Sequence, residues 1–153
     1  MLMSEELRVY RVRENAKLPQ RAHPTDAGMD FFYCPEDPIL LGIEPGQSVV
    51  LPTGVKMQVP AGHMLQIMNK SGIASKRSLI TGACVVDEGY TGEIFVNLHN
   101  IGNKTTFIES GQKLAQGVFV KISKPSFVEV FEDSVYDSET ERGSGALGST
   151  GDK

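Results

Sequence analysis

The chain is 153 residues long, enough for one domain with a core that buries about two thirds of the surface an unfolded chain exposes. Its 40% apolar and 22% charged residues are ordinary for a globular protein, and 15 Lys and Arg against 19 Asp and Glu give a net charge of −4, which argues against stable nucleic acid binding. No apolar run approaches the roughly 20 residues of a membrane-crossing helix, and residues 1–15 carry no signal-peptide block, so a soluble cytoplasmic protein with no membrane association is expected.

Sixteen glycines and eight prolines divide the chain into short segments, which predicts a mostly β fold. Leu7–Arg13 is the first predicted strand. The segment Asp26-Ala27-Gly28-Met29-Asp30 reads as an acidic turn opening a Phe-rich strand. Ser48–Leu51 follows, then Val55–Val59, where Val55, Met57 and Val59 face one way and Lys56 and Gln58 the other. After a strand at Met64–Met68, Ser71–Arg77 has room for one or two helical turns with Ser71 as N-cap. Gly82–Glu93 reads as a hairpin, two strand-like arms around the acidic turn at Asp87 and Glu88. Ile94–Leu98, Thr105–Ile108, Leu114–Val120 and Phe127–Phe131 complete a set that suggests a closed sandwich or barrel. From Glu132 the chain turns acidic and then rich in Gly, Ser and Thr, which divides it into a β domain at 1–131 and a tail at 132–153. That tail reads either as a solvated, disordered terminus or as a mobile arm that becomes ordered over something anionic.

Several site types are excluded. There is no Walker-type loop, no His-Glu-x-x-His and no Cys-x-x-Cys, while His23, His63 and His99 stand in separate segments. Protein-ligated zinc is therefore not expected. Cys34 and Cys84 read as free thiols, and the Asn-x-Ser/Thr triplets at Asn69 and Asn103 matter only in a secreted protein.

Five segments concentrate Gly beside Asp, Ser, Lys or Arg: Asp26–Asp30, Asn69-Lys70-Ser71-Gly72, Gly82–Glu93, Gly111-Gln112-Lys113-Leu114-Ala115-Gln116 and Arg142–Gly151. In the second, a cation, a hydroxyl and a Gly N–H are groups that cradle phosphate oxygens; in the fifth, one guanidinium joins several hydroxyls and four glycines. Each alone also reads as an ordinary turn or linker. In this order over Asp26 to Gly151 they resemble the five motifs of the homotrimeric dUTPases, with Val86-Asp87-Glu88-Gly89-Tyr90-Thr91-Gly92-Glu93 and the Gly-rich tail the most specific.

The resemblance implies an all-β, distorted jelly-roll or β-prism-like barrel with at most one short helix and a flexible C-terminal arm that completes a neighbouring subunit's active site. It implies hydrolysis of dUTP to dUMP and pyrophosphate by water attack on the α-phosphate, with Mg²⁺ as cofactor held mainly by the triphosphate. Asp87 would be the catalytic group that orients and deprotonates the water. Lys70, Ser71, Gly72, Gln116, Arg142, Ser149 and Thr150 would bind the phosphates. Asp30 would act near the metal through water, with Asp26 outside the site. Gly82, Val85, Val86, Tyr90 and Leu147 would meet uracil and deoxyribose, the hairpin backbone pairing with the base and Tyr90 lying against the sugar. Cytosine reverses two of uracil's hydrogen-bonding positions, so a site built for uracil would leave buried polar groups unpaired, at about 1–3 kcal/mol each.

Departures from the family pattern are Lys70 where Arg is usual, Leu147 where an aromatic residue stacks on the base, Cys84 in place of a common Gly, and Gly89 where an acidic residue is frequent. Lys keeps the charge of Arg without its planar fork, and Leu recovers part of the stacking by dispersion. Two other readings compete with dUTP hydrolysis: a dCTP deaminase-related enzyme, which needs a catalytic Glu where Asp87 stands, and a nucleotide-gated regulatory or binding protein.

Overall fold

Alternation between apolar and polar side chains shapes the strands. In Val55 to Val59, Val55, Met57 and Val59 are buried while Lys56 and Gln58 are exposed, as predicted. The computed structural model describes residues 6–151; the first five residues and the last two of the expected arm, 152–153, lie outside that range. In chain order the elements are β1 (Val9–Arg11), β2 (Met29–Phe32), β3 (Leu41–Ile43), β4 (Ser48–Pro52), β5 (Val55–Met57), β6 (His63–Met68), α1 (Ser71–Arg77), β7 (Leu79–Thr81), β8 (Val85–Val86), β9 (Phe95–Asn100), β10 (Thr106–Ile108) and β11 (Lys113–Lys121).

The strands pair antiparallel in four small sheets, ordered β2-β11-β6-β8, β4-β9-β7, β1-β5 and β10-β3. Crossovers between distant strands give the distorted jelly-roll character. Phe31, Ile43, Leu51, Val55, Leu65, Leu79, Val96, Leu98, Ile108 and Leu114 fill one core, and each such side chain stabilises the fold by roughly 1.5–3 kcal/mol. Among the described residues no helix is long and apolar enough to cross a membrane.

Three local expectations are corrected. Ser71 is the first residue of α1 and not its N-cap; Lys70 holds that position without a side-chain cap bond. The nearby Asn69 side chain is already engaged by the Thr81 N–H at 2.8 Å, and Ser75 Oγ donates to the Ser71 carbonyl at 2.6 Å. The arms flanking Asp87 do not pair with each other. β7 and β9 form the hairpin's base, with Leu79 opposite Asn100 and Thr81 opposite Leu98, after which the chain leaves that sheet and Val85–Val86 pairs with β6. Gly82 sits at the departure point because a Cβ there would lie 2.1 Å from Asn97 Oδ1. Phe127–Phe131 forms no strand: the segment has no facing edge within its own unit, and Phe127 and Phe131 are exposed.

The chain separates into two compact units, Met1–Ser123 and Lys124–Lys153. Among its described residues the second holds a single 3-10 turn at Glu132–Ser134 followed by a run of turns.

Candidate active site

Sheet register brings three of the sequence segments together. β11 lies between β2 and β6, and Gln116 on it is opposite Asp30 on one side and Met68 on the other. The chain leaves β6 straight into Asn69 and Lys70, so the second segment arrives beside the first and fourth. Gln116 Nε2 donates to the Asn69 carbonyl at 2.8 Å. Gly28 makes room for this carboxamide, since a Cβ there would lie 2.1 Å from Gln116 Oε1.

Asp30 is the electrostatic centre of the cluster. Its carboxylate is 3% exposed and pairs with Lys70 Nζ at 2.5 Å and Lys113 Nζ at 2.8 Å. Burial pushes the Asp30 carboxyl up, but hydrogen bonds from Lys113 and Lys70 and their positive charge outweigh it and hold the group below the usual carboxylate range. Lys113 escaped the sequence reading because strict alternation puts it and Gln116 on opposite faces. A β-bulge between Lys113 and Ala115 adds one residue to β11 against Phe31–Phe32 and turns Lys113 onto the face of Asp30 and Gln116. Its place three residues before Gln116 in the fourth segment was the available signal. Ser71 and Gly72 are exposed beside Lys70, and open space surrounds the point where a Gly72 side chain would begin.

A second group forms around β8, an edge strand of the four-stranded sheet. Val85, Val86, Asp87, Tyr90, Ile94 and Phe95 line a pocket of about 180 Å³. A turn closed by the Tyr90 N–H on the Asp87 carbonyl at 3.0 Å carries the side chains of Asp87 and Tyr90. Asp87 is exposed and forms no ion pair within its unit among the described residues. The Gly82 N–H is taken up by the Asn97 carbonyl at 3.0 Å, and Asn97 Oδ1 accepts from the Ala83 N–H at 3.0 Å. Asn97 thus fixes the root of the loop, a role the sequence pattern did not signal.

In the second unit the fifth segment forms successive turns. The Gly145 N–H donates to the Arg142 carbonyl at 3.1 Å, the Ser149 N–H to Ala146 at 2.9 Å and the Gly151 N–H to Gly148 at 3.0 Å. Arg142 Nε donates to the Gly145 carbonyl at 3.0 Å, while Leu147, Ser149 and Thr150 are exposed.

The dUTPase family model matches residues 14–151. The chain belongs to the dUTPase family. Among curated relatives, this dUTPase-family chain is 40% identical over 147 residues to the deoxyuridine 5'-triphosphate nucleotidohydrolase of Clostridium tetani, covering 95% of this chain and 96% of that one. It is 38% identical over 149 residues to the corresponding protein of Alkaliphilus metalliredigens, covering 96% and 98%. Among solved structures, the dUTPase of Staphylococcus bacteriophage 80alpha with dUPNHPP superposes with a TM-score of 0.86 at 27% identity, over 97% of this chain and 99% of that one. A mutant dUTPase from phage phi11 of S. aureus, whose structure reveals the molecular details for the coordination of a structural Mg(II) ion, gives a TM-score of 0.75 at 29% identity over 84% and 98%.

Proposed function

We infer that the chain is a dUTP diphosphatase, hydrolysing dUTP to dUMP and pyrophosphate and so limiting dUTP while supplying dUMP for dTMP synthesis. The observation that carries this reading is the pocket at the β8 edge, where Asp87 and Tyr90 converge. Asp87 takes a proton from water as the water oxygen bonds to the α-phosphorus. The bond from that phosphorus to the bridging oxygen breaks, and pyrophosphate leaves. Such a transfer asks little covalent chemistry of the protein, so positioning and charge neutralisation supply most of the rate. Lys70, Ser71, Gly72 and Gln116, with Arg142, Ser149 and Thr150 of the arm, bind the phosphates. The outward edge of β8 offers the backbone groups that an unpaired strand edge presents. Backbone groups around Gly82, Val85 and Val86 read uracil, Tyr90 lies against deoxyribose, and Leu147 covers the base.

Mg²⁺ commonly keeps several waters and joins one or two carboxylates to substrate phosphates. Both Asp30 oxygens already face ammonium groups, a donor set that fits contact through water better than direct ligation. When bound by the triphosphate, Mg²⁺ supplies neutralisation of the phosphate charge.

The pocket's volume of about 180 Å³ is below the roughly 300–1,000 Å³ of usual ligand sites. It is too small to hold a nucleoside triphosphate unaided, which supports a homotrimer in which the arm of residues 132–153 completes a neighbour's site. Mixing Asp87→Asn and Arg142→Ala chains tests this sharing, because activity returns on mixing only if one site draws these two residues from different subunits.

Pyrophosphate release from dUTP, dCTP, dTTP and UTP with Mg²⁺ tests the whole reading. The expected result is a clear preference for dUTP and a loss of about 10²-fold or more in Asp87→Asn. Equal turnover by that variant would remove Asp87 from its role. Ammonia release from dCTP would instead favour the deaminase reading.

A further inference from the structure

The Asp87–Tyr90 turn is tied down at its C-terminal root by a set of contacts that the reaction chemistry does not require. Tyr90 Oη donates to the Glu93 carbonyl at 2.7 Å. That carbonyl belongs to the same peptide group as the Ile94 N–H, which donates to the Val55 carbonyl at 2.9 Å. One peptide plane is therefore held on both sides, by the core strand β5 and by the tyrosine hydroxyl. The Glu93 side chain is held as well: Oε1 accepts from the Gly54 N–H at 2.7 Å, and Arg13 engages both carboxylate oxygens. Arg13 and Glu93 side chains are 17% and 13% exposed, so water screens this pair less than a surface pair.

Gly92 completes the arrangement. The tyrosine ring folds back over it so closely that a Cβ would lie 2.5 Å from Tyr90 Oη and 2.7 Å from Cζ. Any side chain at 92 would push the ring away from the Glu93 carbonyl.

We propose that Glu93, locked by Arg13 and Gly54 and given clearance by Gly92, is a positioning residue that fixes the Tyr90 ring and so sets discrimination between deoxyribose and ribose at this site. The proposal rests on the reading of Tyr90 as the group against the sugar. A phenol held by one neutral hydrogen bond gains about 0.5–1.5 kcal/mol for the held orientation, or about twofold to tenfold in population. Releasing the ring leaves the wall in place for a correspondingly smaller fraction of encounters with a 2′-hydroxyl.

The test is kcat/KM for dUTP and for UTP, taken as a ratio, with Mg²⁺ and the full chain. Tyr90→Phe, Glu93→Gln and Gly92→Ala are each expected to lower the dUTP/UTP ratio by about twofold to tenfold. Because Glu93 acts through the tyrosine hydroxyl, Tyr90→Phe combined with Glu93→Gln should fall no lower than Tyr90→Phe alone. Arg13→Lys, which keeps the charge but loses the two-armed contact, guards against a variant that fails to fold, with thermal melts confirming each chain. Wild-type ratios in folded Glu93→Gln and Gly92→Ala, or full additivity in the double variant, would overturn the proposal. Tyr90→Ala separates the two levels: a collapsed ratio there beside unchanged Glu93→Gln and Gly92→Ala sinks only the positioning role, and an unchanged ratio sinks both.

Discussion

Replacing Asp30 by Asn removes one negative charge from between two ammonium groups while keeping the shape of the side chain. Breaking a buried pair by removing one partner costs about 3–5 kcal/mol when the remaining charge is sealed from water. Lys70 and Lys113 side chains are 27% and 43% exposed, so both can turn partly to solvent, and the expected cost at pH 7 falls to about 2–3 kcal/mol. For a chain of this size that is a drop of about 5–10 °C in melting temperature. The sign of the pH dependence follows from the depressed Asp30 carboxyl. Its contribution is fully present above the unfolded carboxylate value of about 3.9 and is lost as pH falls through the lower folded value. Thermal or urea unfolding of parent and Asp30→Asn between pH 7 and pH 2.5 should therefore give stability curves that are separated at neutral pH and converge in acid. Curves that coincide at pH 7, or keep a constant separation down to the lowest pH, would refute the assignment of Asp30 as the ionised centre of this cluster.

Three further outcomes are expected. Gly28→Ala places a methyl against the Gln116 carboxamide, so Gln116 leaves the Asn69 carbonyl and KM for dUTP rises severalfold while the fold persists; steady-state kinetics beside a melt checks this. Lys113→Met removes the Asp30 partner at 2.8 Å and should cost less stability than Asp30→Asn, because Lys70 stays paired, as comparative denaturation would show. Leu147→Phe adds a ring that can stack on the base and should lower KM by up to about tenfold with little change in the chemical step, read from KM and single-turnover rates; an unchanged KM would dissociate Leu147 from the base.

The residues that announce themselves in the sequence are those whose chemistry is local. Alternation in Val55–Val59 locates a strand, because a period of two alone decides which side chains meet the core. Phe127–Phe131 shows the limit of local reading: a run of β-prone Phe and Val forms a strand only where a partner edge exists, and pairing is a property of distant residues. The convergence of Asp30, Lys70 and Gln116 likewise depends on β11 entering between β2 and β6, a register set by tertiary structure, although the motif order already pointed to one shared site.

Lys113 and Glu93 expose a different kind of blindness. One extra residue in β11 inverts the facing of Lys113, and no local pattern distinguishes a bulged strand from a regular one when the flanking residues, Leu114 and Ala115, are both buried. Glu93 stands in the most recognisable segment of the chain, yet its side chain turns away from the pocket toward Arg13 and Gly54, 80 and 39 positions earlier. Motif membership therefore marks two populations: side chains that line the pocket and side chains that fix the backbone on which the first group stands. A half-buried carboxylate with its own cation and a backbone N–H belongs to the second population, and the physical sign of it is a neighbouring carbonyl, here that of Glu93, to which another side chain of the segment, Tyr90, donates.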